Sequence, residues 1–88
     1  MIESVTFDRE IRGIPLWLLR EYLVELGGQV QQDDCVVGAG WSARLTQLED
    51  FSVGSLRVGQ VQIEICGEES AMKALRGPLE TKLIRGGG

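Results

Sequence analysis

The chain has 88 residues, 43% hydrophobic and 25% charged, with a formal net charge of −4. That is the size of one small domain, and it carries too much apolar surface for a disordered chain. The acidic balance argues against a nucleic-acid binder, which needs a basic patch. The complete lack of His removes imidazole acid–base catalysis, His metal sites and Ser/His or Cys/His nucleophiles.

The first alternating segment is residues 3–8, with Val5 and Phe7 on one face and Ser4, Thr6 and Asp8 on the other. It reads as a short, half-buried strand. Pro15 suits the first position of a helix that Gly27-Gly28 ends. Leu16, Leu19, Leu23 and Leu26 share one face of that helix, flanked by Trp17 and Tyr22, while Arg20, Glu21 and Glu25 fall outside the stripe. Its apolar run, Ile14 to Leu19, stops at Arg20, far short of the ~20 residues a bilayer span needs. No signal peptide is legible at the start, so a cytoplasmic protein without membrane association is expected.

Residues 29–37 read as extended, broken into two short strands by a turn at Asp33-Asp34. Gly38-Ala39-Gly40 lacks the third glycine of a dinucleotide fingerprint and is read as a turn. Residues 41–48 alternate, with Trp41, Ala43 and Leu45 on the apolar face. A loop around residues 49–54 follows. Residues 57–66 form the clearest strand: Val61, Ile63 and Ile65 point one way and Gln60, Gln62 and Glu64 the other. One polar face implies an antiparallel sheet wetted on one side.

Gly67-Glu68-Glu69-Ser70 reads as the opening of a second helix, with its acids at the positive end of the helix dipole. Met72, Leu75, Leu79 and Leu83 keep helical spacing across Gly77-Pro78, where Pro78 should kink or restart the helix. The expected fold is α+β: an antiparallel sheet of four to five strands with two helices on one face, in the order β-α-β-β-β-α. Residues 1–85 make the domain and residues 86–88 a flexible glycine tail. So small a core gains from dimerisation, and an edge strand or residues 51–56 could supply the contact.

Several side chains are candidates for chemistry. Cys35 and Cys66 read foremost as small buried hydrophobes on strands, with a disulfide or a reactive thiol as alternatives. Asp33-Asp34 and Glu49-Asp50 read as solvated turn acids, since the spacing of a calcium loop is absent. Trp17 and Trp41 read as core or core-rim residues. Arg44 and Arg57 read foremost as partners of nearby acids such as Glu49 or Glu64, with anion binding as the alternative. No metal or cofactor is expected.

The informative functional feature is Gly86-Gly87-Gly88, which follows Leu83-Ile84-Arg85. This ending resembles that of ubiquitin and the related sulfur-carrier proteins, which close on a bare Gly-Gly. Glycine threads where any side chain would collide, and residues 85–88 extended reach at most ~13 Å. The resemblance implies that the Gly88 carboxylate is adenylated and then converted to a thiocarboxylate, with Ile84 and Arg85 contacting the partner. The body departs from the ubiquitin-like pattern, which opens with a β-hairpin before its helix. The first helix, the segment LEDFSVGSLRVG at residues 48–59 and the Arg-Gly-Gly-Gly ending together resemble another family. These features are similar to the C-terminal domain of bacterial proteins related to the small subunit of molybdopterin synthase (MoaD-related). That resemblance implies a place in sulfur delivery or molybdenum-cofactor assembly. The expected partner is an activating enzyme or a molybdopterin-synthase component. An inert tail on a homodimeric structural or regulatory module is the alternative reading.

Overall fold

The structure is a computed structural model that describes residues 4–85. In chain order the elements are β1 (Ser4–Arg12), α1 (Leu16–Glu25), β2 (Gln29–Gln32), β3 (Cys35–Gly38), β4 (Trp41–Gln47), β5 (Phe51–Val53), β6 (Leu56–Val58), β7 (Gln60–Glu68) and α2 (Glu69–Arg85). Five strands form one antiparallel sheet in the order β1–β7–β4–β3–β2, and β5 pairs with β6 as a separate ribbon. This is the expected α+β architecture. Among the described residues no helix is long and apolar enough to cross a membrane.

Alternation determines which sheet face is buried. Phe7, Ile65, Ala43, Val36 and Val30 form one continuous cross-strand row through all five strands. Ile65, Ala43 and Val36 in its middle are fully covered by the helices. The neighbouring positions Thr6, Cys66, Ser42 and Val37 form a row on the open face. Leu19 and Leu23 of α1, and Met72, Leu75, Leu79 and Leu83 of α2, close the core from one side. Pro15 has extended backbone and caps α1, so the helix begins one residue later than expected.

Trp41 is seated in space that glycines leave open. A Cβ on Gly38, its cross-strand partner, would lie inside the indole ring. A Cβ on Gly28 would come within 2.9 Å of the ring's Cη2, and one on Gly67 within 2.7 Å of the Trp41 Cα. Gly67 and Glu68 therefore belong to β7 and do not open α2: the strand must pass close to the Gly40–Trp41 backbone, where the Glu68 N–H donates to the Gly40 carbonyl at 2.9 Å. Gly40 itself takes φ 82°, a left-handed conformation that glycine adopts without strain.

Other sequence expectations are corrected by the surroundings. β1 continues to Arg12 because β7 pairs with its whole length. Residues 49–54 are not a simple loop. Phe51, Ser52 and Val53 pair with Val58, Arg57 and Leu56 across a Gly54-Ser55 turn, and β7 starts only at Gln60. Cys66 is exposed and Cys35 half-buried, both as free thiols on the open face. They lie two strands apart, roughly 10 Å at normal strand spacing, which is beyond the reach of a disulfide. Trp17 is 56% exposed. Arg44 stands opposite Glu64 in register, yet neither Arg44 nor Arg57 makes an ion pair among the described residues.

Pro78 does not restart α2, which runs unbroken through it. Gly77 before it offers no Cβ for the proline ring to strike. The Thr81 hydroxyl donates to the Gly77 carbonyl at 3.2 Å, and buried Leu75 and Leu79 hold both halves on the sheet.

Two stability changes of opposite sign follow. Gly38→Ala forces a methyl group into the Trp41 ring and should cost about 1–3 kcal/mol in urea unfolding, the usual scale of overpacking. Pro78→Ala at an exposed helix position restores an N–H for the Ala74 carbonyl and should raise the unfolding free energy by about 1–3 kcal/mol.

Candidate functional site

α2 carries the chain to Arg85, the residue before Gly86-Gly87-Gly88 in the sequence. α2 crosses the sheet beside β1, and its last turn buries Leu83 while leaving Ile84 73% exposed. Arg85 is the last helical residue. It was expected to be the first of four extended residues. The helix continues through it because Leu83 keeps the last turn on the sheet. Gly86, Gly87 and Gly88 themselves lie outside the described residues.

A cleft of about 280 Å³ opens beside this helix end, between Arg9, Glu10, Ile11 and Arg12 of β1 and Glu80, Leu83 and Ile84 of α2. An Arg9–Glu80 ion pair bridges its walls. Both side chains are nearly half exposed, so solvent screening leaves the pair a role in orientation more than in stability. On the other flank of α2, Lys82 pairs with Glu25 of α1 and lies 5.6 Å from the centre of the Tyr22 ring. The last turns of α2 are thus tied to β1 on one side and to α1 on the other. Lys82 is also the sign of charge that a helix C-terminus favours.

The β5–β6 ribbon is the second feature near this end. It hangs between the last residue of β4 and the first of β7, level with Arg12. Phe51 pairs with Val58 and Val53 with Leu56, so one face of the ribbon is wholly apolar, while Ser52 and Arg57 occupy the other. Its base is held by the Arg12 guanidinium, 3.7 Å from the centre of the Phe51 ring, and by Arg12 Nε donating to Gln60 Oε1 at 2.9 Å. Gln60 Nε2 in turn donates to the Glu49 carbonyl at 3.3 Å. This ribbon was legible in principle. Phe-Ser-Val and Leu-Arg-Val alternate around Gly-Ser, and Gly54 takes φ 60° at the first turn position.

Among the described residues no three His, Cys, Asp or Glu side chains cluster as metal ligands would. Asp33, Asp34, Glu49 and Asp50 are exposed turn or loop residues. What this end of the molecule offers is an apolar side chain on a braced helix terminus, a small cleft edged by both signs of charge, and an apolar ribbon.

A model of the archaeal MoaD-like protein family matches residues 7–88. The chain belongs to that family. No curated protein matches the sequence. The archaeal MoaD-like match takes in β1 from Phe7, the other strands of the sheet, both helices, the ribbon and all three terminal glycines. The MoaD-related resemblance read from the first helix, residues 48–59 and the glycine ending therefore holds at the level of the family.

Arg12→Ala should release the ribbon without unfolding the sheet. Amide hydrogen exchange across residues 51–58 is expected to quicken while that of β7 and β4 stays unchanged. Equal acceleration in both regions would mean that Arg12 supports the core instead.

Proposed function

We propose that this chain is a non-enzymatic protein-binding module of sulfur transfer for molybdenum-cofactor synthesis, presenting Gly86, Gly87 and Gly88 to a protein partner. The observation that carries this reading is the archaeal MoaD-like match, which continues through α2 to residue 88. The chemistry agrees with it. A carboxylate on Gly88 attacks the α-phosphorus of ATP and pyrophosphate leaves. Hydrosulfide delivered by a partner then attacks the acyl-adenylate carbonyl, AMP leaves and a proton is released, giving a thiocarboxylate. The carrier supplies neither acid nor base to these steps, in keeping with a chain that has no His.

On this reading Ile84 and Arg85 meet the partner, and the partner accepts a helix end in place of the strand end that precedes a ubiquitin-like tail. Ile84 is the natural anchor, since an exposed apolar side chain gains most when a partner removes it from water.

The test is intact-protein mass spectrometry after incubation with ATP, a sulfur donor and the host's activating enzyme. One oxygen should be exchanged for sulfur, in the peptide that contains Gly88. Removal of Gly87 and Gly88 should abolish the exchange, and Ile84→Asp should slow it while leaving the circular dichroism spectrum intact. An unchanged mass in the presence of active enzyme overturns the proposal.

A further inference from the structure

The two edges of the sheet are unlike. β1 carries Asp8, Arg9, Glu10 and Arg12, charges of the kind that keep an edge strand from pairing with another chain. β2 at the opposite edge reads Gln-Val-Gln-Gln, has no charge or proline, and is exposed along its length. Val30 ends the buried cross-strand row of Phe7, Ile65, Ala43 and Val36, yet it is 46% exposed because no strand lies beyond it. Beside it, the outer surface of α1 shows Trp17 at 56% and Val24 at 42% exposure. These three line a single groove of about 350 Å³, rimmed by Arg20, Glu21 and Glu25. Isolated exposed apolar residues are ordinary, but an edge valine, a tryptophan and a second valine in one groove form a patch.

The spacing along α1 indicates what covers this patch. In an antiparallel pair of α1 helices related by a two-fold axis between Arg20 and Glu21, Trp17 faces Val24 of the other copy. In the same register Arg20 faces Glu21 of the other copy. The surface is self-complementary in charge and in the spacing of its apolar side chains, as an isologous interface requires. Gln31 bulges out of the β2–β3 ladder, so the backbone edge offers few hydrogen bonds and side chains carry most of the contact. We infer that two copies of this chain form a two-fold dimer through the outer face of α1 and the β2 edge, with each Trp17 entering the other copy's groove. The inference stands independently of the carrier reading, because this surface does not include Ile84 or the β1 cleft.

Sedimentation equilibrium on the full chain tests it. The wild-type protein is expected to be dimeric at micromolar concentration. Val30→Lys, a substitution at an exposed edge position, should weaken the dimer at least about tenfold while leaving the circular dichroism spectrum unchanged. Glu21→Arg should weaken it by setting Arg20 against a second arginine, and adding Arg20→Glu should restore it. A wild-type protein that stays monomeric at ~100 μM overturns the inference, since a specific dimer interface should bind more tightly than that. So does a dimer indifferent to Val30→Lys, or one weakened by Glu21→Arg and not restored by the double exchange.

Discussion

The indole of Trp41 governs how this chain closes on itself. It stands at the start of β4, and glycines from three separate parts of the chain give way to it: Gly28 after α1, Gly38 at the end of β3 and Gly67 near the end of β7. Each lacks the Cβ that would meet the ring or its backbone. An aromatic side chain this large supplies much of the core at one end of a small sheet, where there are few other residues to share that burial. Because the glycines come from different parts of the sequence, the packing forms only when the helix exit, the β3–β4 turn and the end of β7 have all arrived. It couples local turns to long-range register, the kind of mutual consistency that singles out one fold from its competitors.

The position of α2 follows from that corner. β7 passes under the Gly40–Trp41 backbone and the chain enters the helix at once, with Glu69 in its first turn. No loop intervenes to let α2 choose its path. The buried leucines at 75, 79 and 83 then guide it back along β1 toward Arg12. The place that α2 reaches at Arg85 is therefore decided at the opposite end of the sheet, a helix length away. The ion pairs Arg9–Glu80 and Lys82–Glu25 orient the helix end, but exposed or half-exposed pairs contribute little to stability. Apolar burial does the positioning.

Most of this frame was legible in the sequence. Period-two alternation marked Val61, Ile63, Ile65, Trp41, Ala43 and Leu45 as core, and period-3.6 spacing marked the leucines of both helices. What escaped depends on tertiary surroundings. Pro78 argues locally for a break, but burial on both sides and a glycine before it outweigh the local cost. Gly67 and Glu68 look like a helix entrance until the approach of the Trp41 backbone is known. Trp17 looks like core by composition, yet its place on α1 turns it outward. The thiols read as buried hydrophobes, although the alternation that inserts Ile65 and Val36 must expose Cys66 and partly expose Cys35. At the candidate site, the exposed Ile84 and the helical Arg85 could be placed only once Leu83 was seen to hold the last turn. Family membership, in contrast, was carried by the glycine ending together with residues 48–59, the stretch that folds as the ribbon.

A tail leaving from a helix differs physically from one leaving a strand. A strand end is already extended, so a tail continues in its direction and a partner can lengthen the same sheet. A helix end presents its last carbonyls without intrahelical partners, and they carry the negative pole of the helix dipole. A partner of the kind proposed would approach that negative pole at the end of α2. On β1 Arg9 and Arg12 border the cleft, Arg9 paired with Glu80 and Arg12 anchoring the ribbon through Phe51. The ribbon's apolar face and Ile84 lie at the same end of the sheet. A partner that engages the glycines there can gain apolar burial from both, while the α1 and β2 surface at the other edge stays free. The carriage and the self-association proposed above would use different faces of one small domain, the cleft beside β1 for one and the α1–β2 groove for the other.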